Sequence, residues 1–282
     1  VQQLCQALES TPVTSIRLND KIDYLTFDAD TDEVPWHEDG YYLSQRPQFT
    51  LDPLFHAGCY YVQEASSMFV GEVLNQYLKA DSIVLDLCAA PGGKSTLISQ
   101  YLGNEGLLVS NEVVRQRVFI LSENIQKWGN GNTVVTHNYA ADFGNKLQNL
   151  FDCILVDAPC SGEGMFRKNE LAISDWSEEK VSGCAQMQRE ILSNVQKCVA
   201  PGGYLIYSTC TFSLDENEYN VDWFLREYPD FSICRVNADL EEATSDGISF
   251  DGAIADMKLC RRFYPHITKG EGQFIALLKK NS

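Results

Sequence analysis

The sequence predicts an α/β fold built on a mostly parallel sheet with helices on both faces, preceded by a smaller mixed α/β domain. Three observations carry this. From residue 83 onward, short apolar runs alternate with segments of helical spacing, the rhythm of parallel strands joined by crossover helices. The first of these runs, Ile83-Val84-Leu85, leads through a Pro91-Gly92-Gly93 turn into a helix-like segment, Ser95 to Leu102. The ends of the later runs carry polar and thiol-bearing residues, at the edge where open α/β sheets hold their ligands.

In order, residues 1–75 read as the small α/β domain. Ser15 to Asn19 predicts a short strand, Val34-Pro35-Trp36 and Asp39-Gly40 carry turn signals, and Tyr41-Tyr42-Leu43 has aromatic strand character. Tyr60-Tyr61-Val62 predicts a strand that feeds a helix with Met68, Phe69, Val73, Leu74 and Leu78 on its apolar positions. The second domain is expected to span 76–282. Its strands fall at Ile83–Cys88, Leu107–Asn111, Thr133–Thr136, Cys153–Asp157 and Tyr204–Ser208. Its helices fall at Val113–Trp128, Phe143–Leu150, Met187–Val199 and Leu214–Glu227, and Gly202-Gly203 punctuates the passage from helix to strand. A closing hairpin is expected between Arg262-Phe263-Tyr264 and Gly272–Leu278.

Composition narrows the function. A net charge of −17 removes the general basic surface of a protein that grips nucleic acid non-specifically, so any such role rests on local patches. One candidate patch is Lys258, Arg261, Arg262, Lys269, Lys279 and Lys280, with Glu271 as its single acid. It follows an acidic run of Asp239, Glu241, Glu242, Asp246, Asp251 and Asp256, and both stretches read equally as solvated surface. No apolar run nears the ~18–20 residues that cross a bilayer, and the start, VQQLCQALES, is not a signal peptide. The missing initiator methionine is consistent with a trimmed chain. Ten cysteines include no C-x-x-C pair, which argues against zinc, and no metal site is expected; scattered through apolar segments, they read as reduced thiols of a cytoplasmic protein.

The chemistry gathers around DLCAAPGGKS, Asp86 to Ser95. Its glycines allow close backbone approach to a ligand, and the free N–H groups of the following helix favour an anionic group. Two readings stand. The end of the segment is similar to a P-loop, but G-x-x-x-x-G-K-[ST] requires glycine where Cys88 stands. The other reading is a loop for a nucleoside cofactor such as S-adenosylmethionine. Glu112, about twenty residues past the glycines, suits ribose hydroxyls; as the acid at a helix start it would equally satisfy the dipole. The fourth strand ends in Asp157-Ala158-Pro159-Cys160-Ser161-Gly162-Glu163-Gly164 and the fifth in Tyr207-Ser208-Thr209-Cys210-Thr211. One such cysteine is most often core. Two at one sheet edge point to a thiolate that adds to an electron-poor ring carbon. His37, His56, His137 and His266 show no spacing of a Cys-His hydrolase.

Five motifs occur in order: QEASSM at 63–68, DLCAAPGGKS at 86–95, NE at 111–112, DAPCSGEGMFRK at 157–168 and YSTCTFS at 207–213. As a set they resemble the RNA 5-methylcytosine methyltransferases of the NOL1/NOP2/Sun family, in its RsmF-like bacterial ribosomal RNA branch. The resemblance runs from about Tyr60 to the end, and PWHEDGYYL at 35–43 is similar to that branch's N-terminal region. It implies a Rossmann-like S-adenosylmethionine-dependent methyltransferase sheet, with residues 1–75 as an RNA-recognition or support domain. It further implies that Cys210 adds to carbon 6 of a cytosine, that Cys160 assists release of the adduct, that Asp157 hydrogen-bonds nitrogen 3, and that Lys94 faces the base or its phosphate. Lys94 also reads as an ordinary snorkelling first-turn lysine. The cofactor would be held by Cys88, Ala89, Ala90, Pro91, Gly92, Gly93, Lys94, Glu112, Asn138 and Asp157.

The chain departs from the family's pattern in two places. Where the family often has an acid after the third strand, near the adenine ring, this chain has Tyr139 with Asn138 beside it. And nothing after Leu278 matches the branch's C-terminal RNA-binding domain, so the chain reads as a methyltransferase core with weak RNA affinity of its own. The expected partner is RNA, 16S ribosomal RNA first and transfer RNA as the alternative, with no membrane and a monomeric state. The competing readings are an amino methyltransferase, whose Asp/Asn-Pro-Pro-aromatic turn Asp157-Ala158-Pro159-Cys160 does not match, and an inactive RNA-binding module of the same fold.

Overall fold

Short β-branched and aromatic runs form the strands, and helices fill the intervals between them. In the computed structural model the described residues are 2–21, 31–236 and 243–282. They form two compact units, one from Val13 to His137, the other joining the segment up to Pro12 with Asn138–Ser282. Asp239, Glu241 and Glu242 of the acidic run lie outside the described residues. α1 (Gln2–Leu8) opens the chain.

The unit from Val13 to His137 begins with an antiparallel sheet of β1 (Thr14–Leu18), β2 (Asp32–Val34), β3 (His37–Leu43) and β4 (Tyr60–Val62), in the order β2-β3-β1-β4. β1 is central, pairing Ile16 with Tyr41 on one side and with Val62 on the other. Ile16, Phe49, Cys59 and Tyr60 form its apolar cluster. α2 (Pro53–His56) lies before β4 and is capped by Asp52, whose carboxylate accepts the Leu54 N–H at 2.9 Å. Then come α3 (Val70–Tyr77), β5 (Ile83–Asp86), α4 (Gly93–Leu102), β6 (Leu107–Asn111), α5 (Arg115–Trp128) and β7 (Thr133–Thr136). β5, β6 and β7 are parallel, with Leu85 opposite Val109 and Val109 opposite Val134. β5 is shorter than its apolar pattern predicts, because Leu87 and Cys88 have already left the ladder to begin the turn into α4.

Arg17 of β1 is fully buried. Its guanidinium donates to Gln63 Oε1 at 2.9 Å, Gln100 Oε1 at 2.6 Å, Thr96 Oγ1 at 2.6 Å and Gly93 O at 3.3 Å, and lies 4.4 Å from the centre of the Trp128 ring. Burial pulls its pKa down to about 9, so it is charged at neutral pH, and these acceptors compensate for the lost water.

His37 yields a pH prediction. Burial, and secondarily the charge of Arg17, lower its pKa to about 4. Between pH 6.5 and 4 the unfolded chain takes up this proton and the folded chain does not, so stability is full above 6.5 and falls as pH drops through that window. The loss is about 2–3 kcal/mol. Urea titrations should show this acid limb in the unmodified protein and a flatter one in His37→Asn.

The other unit contains α6 (Ala140–Lys146), β8 (Phe151–Asp157), α7 (Glu170–Ser174), α8 (Glu178–Val195), β9 (Val199–Thr209), α9 (Glu218–Glu227), β10 (Phe231–Cys234), β11 (Ser245–Asp246), β12 (Arg261–Phe263) and β13 (Gln273–Lys280). β8 and β9 are parallel, with Leu155 opposite Ile206, and β13 runs antiparallel to β9 with Leu277 at Ile206. β12 and β13 form the expected hairpin, and β10 also pairs with β13. Cys153–Val156 and Phe274–Leu277 are fully buried, so both faces of this sheet are covered. The architecture is the expected Rossmann-like α/β one.

The helices differ from the sequence expectation at their starts. α6 begins at Ala140 rather than Phe143, because the Asp142 carboxylate accepts the Tyr139 N–H at 3.0 Å. α8 begins nine residues before Met187, at Glu178, capped by Ser177 Oγ on the Lys180 N–H at 3.1 Å. α9 starts at Glu218, not Leu214, because 214–217 form a turn in which Leu214 O accepts the Asn217 N–H at 3.2 Å and the Tyr219 N–H at 3.0 Å. α7, β10 and β11 carried no clear periodic signal. The candidate basic patch does not form as expected: Arg261 and Arg262 are buried, paired with Asp246 and Glu218. Among the described residues no helix is long and apolar enough to cross a membrane.

Candidate active site

Of the residues expected at the site, Cys88 to Lys94 and Glu112 belong to the unit from Val13 to His137; Asn138, Asp157, Cys160 and Cys210 belong to the other. In the first, β5 ends at Asp86, which is fully buried and accepts the Ser95 hydroxyl at 2.6 Å. Ser95 in turn accepts the Ser110 hydroxyl at 2.9 Å, tying the base of the loop to β6. The loop turns through a cis Ala90–Pro91 bond and through Gly92, whose φ of +115° strongly disfavours any residue with a side chain. α4 then starts at Gly93, so Gly93, Lys94 and Ser95 present first-turn N–H groups; Lys94 is half-buried. The opposite wall is tied by Asn111: its carbonyl accepts the Ala89 N–H at 2.8 Å, its amide donates to Leu87 O at 3.1 Å, and Thr136 Oγ1 donates to its Oδ1 at 2.9 Å.

Glu112 is buried at 2% exposure. One oxygen accepts the Val114 N–H at 2.8 Å where α5 begins, so the capping role expected for an acid at that position is present. The other, Oε2, accepts no hydrogen bond among the described residues and stands 3.2 Å from the Arg117 guanidinium. Arg117 also donates to Ala90 O at 2.6 Å, joining Glu112 to the glycine loop.

In the second unit, Asn138 follows β7 and is half-buried, and Tyr139 at the start of α6 is 71% exposed. Asp157 closes β8, and its Oδ1 accepts the Ser208 hydroxyl at 3.0 Å while the Gln273 amide donates to Ser208. Cys160 and Cys210, fifty residues apart, bring their sulfurs to 3.3 Å. Three bonds hold their loops together: Gly164 N–H to Cys210 O at 2.8 Å, Phe212 N–H to a Glu163 oxygen at 2.9 Å, and Ser161 Oγ to Thr211 Oγ1 at 2.9 Å. Gly164 is required by close approach, since a Cβ there would lie 2.6 Å from Gly272 O and 2.7 Å from Cys210 O. The Cys160 thiol is held well above its usual range, first by its hydrogen bond to Cys210, then by burial, then by charge on Cys210 and Glu216.

Sequence reasoning missed polar residues that support these groups: the buried Arg17, Gln188 and the run Glu216-Asn217-Glu218, and the half-exposed Arg117. In the sequence that run reads as the solvated first turn of a helix, and all three residues are fully buried.

A family model described as 16S rRNA methyltransferase RsmB/F matches residues 73–279, and one described as the N-terminal domain of 16S rRNA methyltransferase RsmF matches residues 1–65. Ribosomal RNA small subunit methyltransferase F of Pectobacterium atrosepticum is 38% identical over 257 residues, covering 88% of this chain and 50% of that protein. The protein of that name from Serratia proteamaculans is 37% identical over 268 residues, covering 92% and 54%. The chain thus spans about half the length of the curated relatives it matches. Among solved structures, PH0851 is 26% identical with a TM-score of 0.88, covering 99% of this chain and 62% of that one. A methyltransferase homolog protein from Pyrococcus horikoshii is 27% identical with a TM-score of 0.79, covering 99% and 90%. With the fold, the paired thiols and a family match over most of its length in agreement, the chain belongs to the RsmB/F family of 16S rRNA methyltransferases.

Proposed function

We propose that this chain transfers a methyl group from S-adenosylmethionine to carbon 5 of a cytosine in RNA, 16S ribosomal RNA in the first place, in the cytoplasm. The observation that carries this is the 3.3 Å contact between Cys160 and Cys210, three residues past Asp157 and two past Ser208 respectively, a thiol pair suited to covalent addition and release. The family membership and the names of the relatives support the methyl transfer and the ribosomal substrate. The matches at 1–65 and 73–279 support a division of labour near residue 75, with the first part as support for RNA.

The residues from Cys88 to Lys94 fit the cofactor. Gly92 gives the turn its left-handed backbone, the start of α4 offers N–H groups, and Glu112 has a buried carboxylate oxygen that faces Arg117 and accepts no hydrogen bond among the described residues, suited to ribose hydroxyls. Asn138 and Asp157 complete the proposed set. When bound, S-adenosylmethionine supplies an electrophilic methyl group. Carbon 5 of cytosine is too weak a nucleophile to accept it unaided. Cys210 as thiolate adds to carbon 6 and makes carbon 5 enamine-like. Asp157, held by Ser208, hydrogen-bonds nitrogen 3 and stabilises the charge that develops there. Lys94 steadies the base or its phosphate. After methylation a base removes the carbon 5 proton and Cys160 assists the departure of Cys210.

The test is methylation of 16S ribosomal RNA, transfer RNA and unrelated RNA with labelled S-adenosylmethionine, followed by nucleoside mass spectrometry. 5-Methylcytosine in 16S RNA is the expected product; label in transfer RNA alone would move the substrate assignment, and no product with any RNA would favour an inactive module. RNA affinity should be weak and fall steeply with salt. Glu112→Gln should weaken S-adenosylmethionine binding about 10-fold or more by calorimetry, since a charged acceptor becomes a neutral one.

A further inference from the structure

Asn217 and Glu218 have visible partners. Asn217 accepts the Thr209 hydroxyl at 2.6 Å and donates to Thr211 O at 3.0 Å, bracketing Cys210, and Glu218 holds Arg262. Glu216 reaches the other thiol. Its Oε2 accepts the Ser161 N–H at 3.0 Å and the Gln188 amide at 2.8 Å, and the same Gln188 nitrogen donates to Pro159 O at 2.9 Å. Both neighbours of Cys160 are thereby tied to one carboxylate–amide pair. Gln188 is fixed in turn by the Tyr207 hydroxyl at 2.9 Å and the Asn220 amide at 2.8 Å. Glu216 Oε1 is fully buried yet accepts no hydrogen bond among the described residues. An orphaned buried acceptor costs stability, so its retention calls for an explanation.

We infer that Glu216 is a positioning residue for release of the cytosine adduct: it holds the Pro159-Cys160-Ser161 turn against Cys210 and sets a standing negative charge within electrostatic reach of the Cys160 sulfur. This rests on the thiol-pair reading proposed above. When Cys210 attacks as the thiolate, the proton of the pair sits on Cys160. Once the Cys210 sulfur is bonded to carbon 6 it is no longer an anion, so its hydrogen bond and its charge cease to hold that proton. Cys160 loses it to solvent, which is the one proton the overall methylation releases. The Cys160 thiolate then takes the carbon 5 proton, the carbon 5–carbon 6 double bond reforms, and the pair of the carbon 6–sulfur bond returns to Cys210. Glu216 keeps Cys160 in place throughout and is the fixed charge that sets its basicity. The other titratable groups facing this corner are Glu163 in the turn after Cys160, Tyr207 on β9, and Cys184, Lys180 and Arg189 on α8. Burial raises the pKa of Glu216 above the ordinary carboxylate value, opposed by its bonds to Ser161 and Gln188.

The experiment uses two variants and two readouts. Glu216→Ala frees the Cys160 turn, and decay of the protein–RNA adduct at neutral pH should slow about tenfold or more while S-adenosylmethionine binding, by calorimetry, is unchanged. Glu216→Gln keeps an acceptor for Ser161 and removes the charge. In a Cys210→Ala background, peptide-resolved iodoacetamide labelling should then show Cys160 half-alkylated about one pH unit lower, roughly tenfold more reactive at pH 7. A purely structural role would not move that titration. If Glu216→Ala does not fold, Glu216→Gln alone decides. Unchanged Cys160 titration in Glu216→Gln, or adduct decay in folded Glu216→Ala equal to that of the unmodified protein, overturns the inference. Methylation that survives Cys210→Ala would instead overturn the thiol-pair reading beneath it, so the two failures are separable.

Discussion

Cys210→Ala should abolish methyl transfer, by about 10⁴-fold or more, and should form no covalent complex with RNA. Cys160→Ala should do the opposite on a denaturing gel and leave a stable protein–RNA band. The asymmetry follows from the pair. The two sulfurs lie 3.3 Å apart, and the bond to Cys210 and burial favour the protonated form of Cys160, so the proposed mechanism gives the attack to Cys210. Without Cys160 the attack still occurs and the exit is obstructed. Cys210→Ser should not rescue, since an alkoxide forms far less readily than a thiolate. A shifted band with Cys210→Ala, or none with Cys160→Ala on a competent RNA, would contradict this division of roles.

Arg262→Met should cost about 3–5 kcal/mol of folding stability, the range for stripping one partner from a buried ion pair. Arg262 and Glu218 are 1% and 0% exposed. The guanidinium donates to both Glu218 oxygens, to Phe212 O at 3.0 Å and to Tyr264 Oη at 3.1 Å. Without it, Glu218 keeps only the Ile248 N–H, at 2.8 Å, among its described donors. For a unit of this size the loss corresponds to roughly 10 °C in thermal midpoint. Arg262→Met with Glu218→Leu should recover most of the loss, because the stranded charge goes too. Arg226→Ala, at a half-exposed pair with Asp222, should cost under about 1 kcal/mol. Equal losses at the two arginines would show that burial is not the deciding variable.

The parts of the molecule that could be read in its sequence are those set by local pattern. Leu107–Asn111 and Thr133–Thr136 form as expected because each is a short apolar or β-branched run between turn residues. The glycine loop and the cysteine motifs were legible because their spacing is itself chemical. What stayed hidden depends on partners far along the chain. Nothing near Arg262 announces that Glu218, 44 residues earlier, will meet it, so both arginines of β12 looked like surface. Glu216 is hidden for the same reason: its donors come from residues 161 and 188. The early start of α8 was missed because Glu178-Glu179-Lys180 is polar, and only the Ser177 cap marks the beginning.

Arg17 bears on whether the glycine loop can be moved between proteins. It comes from the strand that opens the first sheet, yet its donors fix Gly93 and Thr96 in the first turn of α4 and its plane covers Trp128. A fragment starting at residue 76 would keep every residue of the loop and lose the clasp that sets its pitch, together with the Gln63 that orients it. The loop is therefore no portable cassette. Grafting it onto another sheet, or trimming this protein to a minimal catalytic piece, must carry along β1, whose Arg17 stands 76 residues before Gly93.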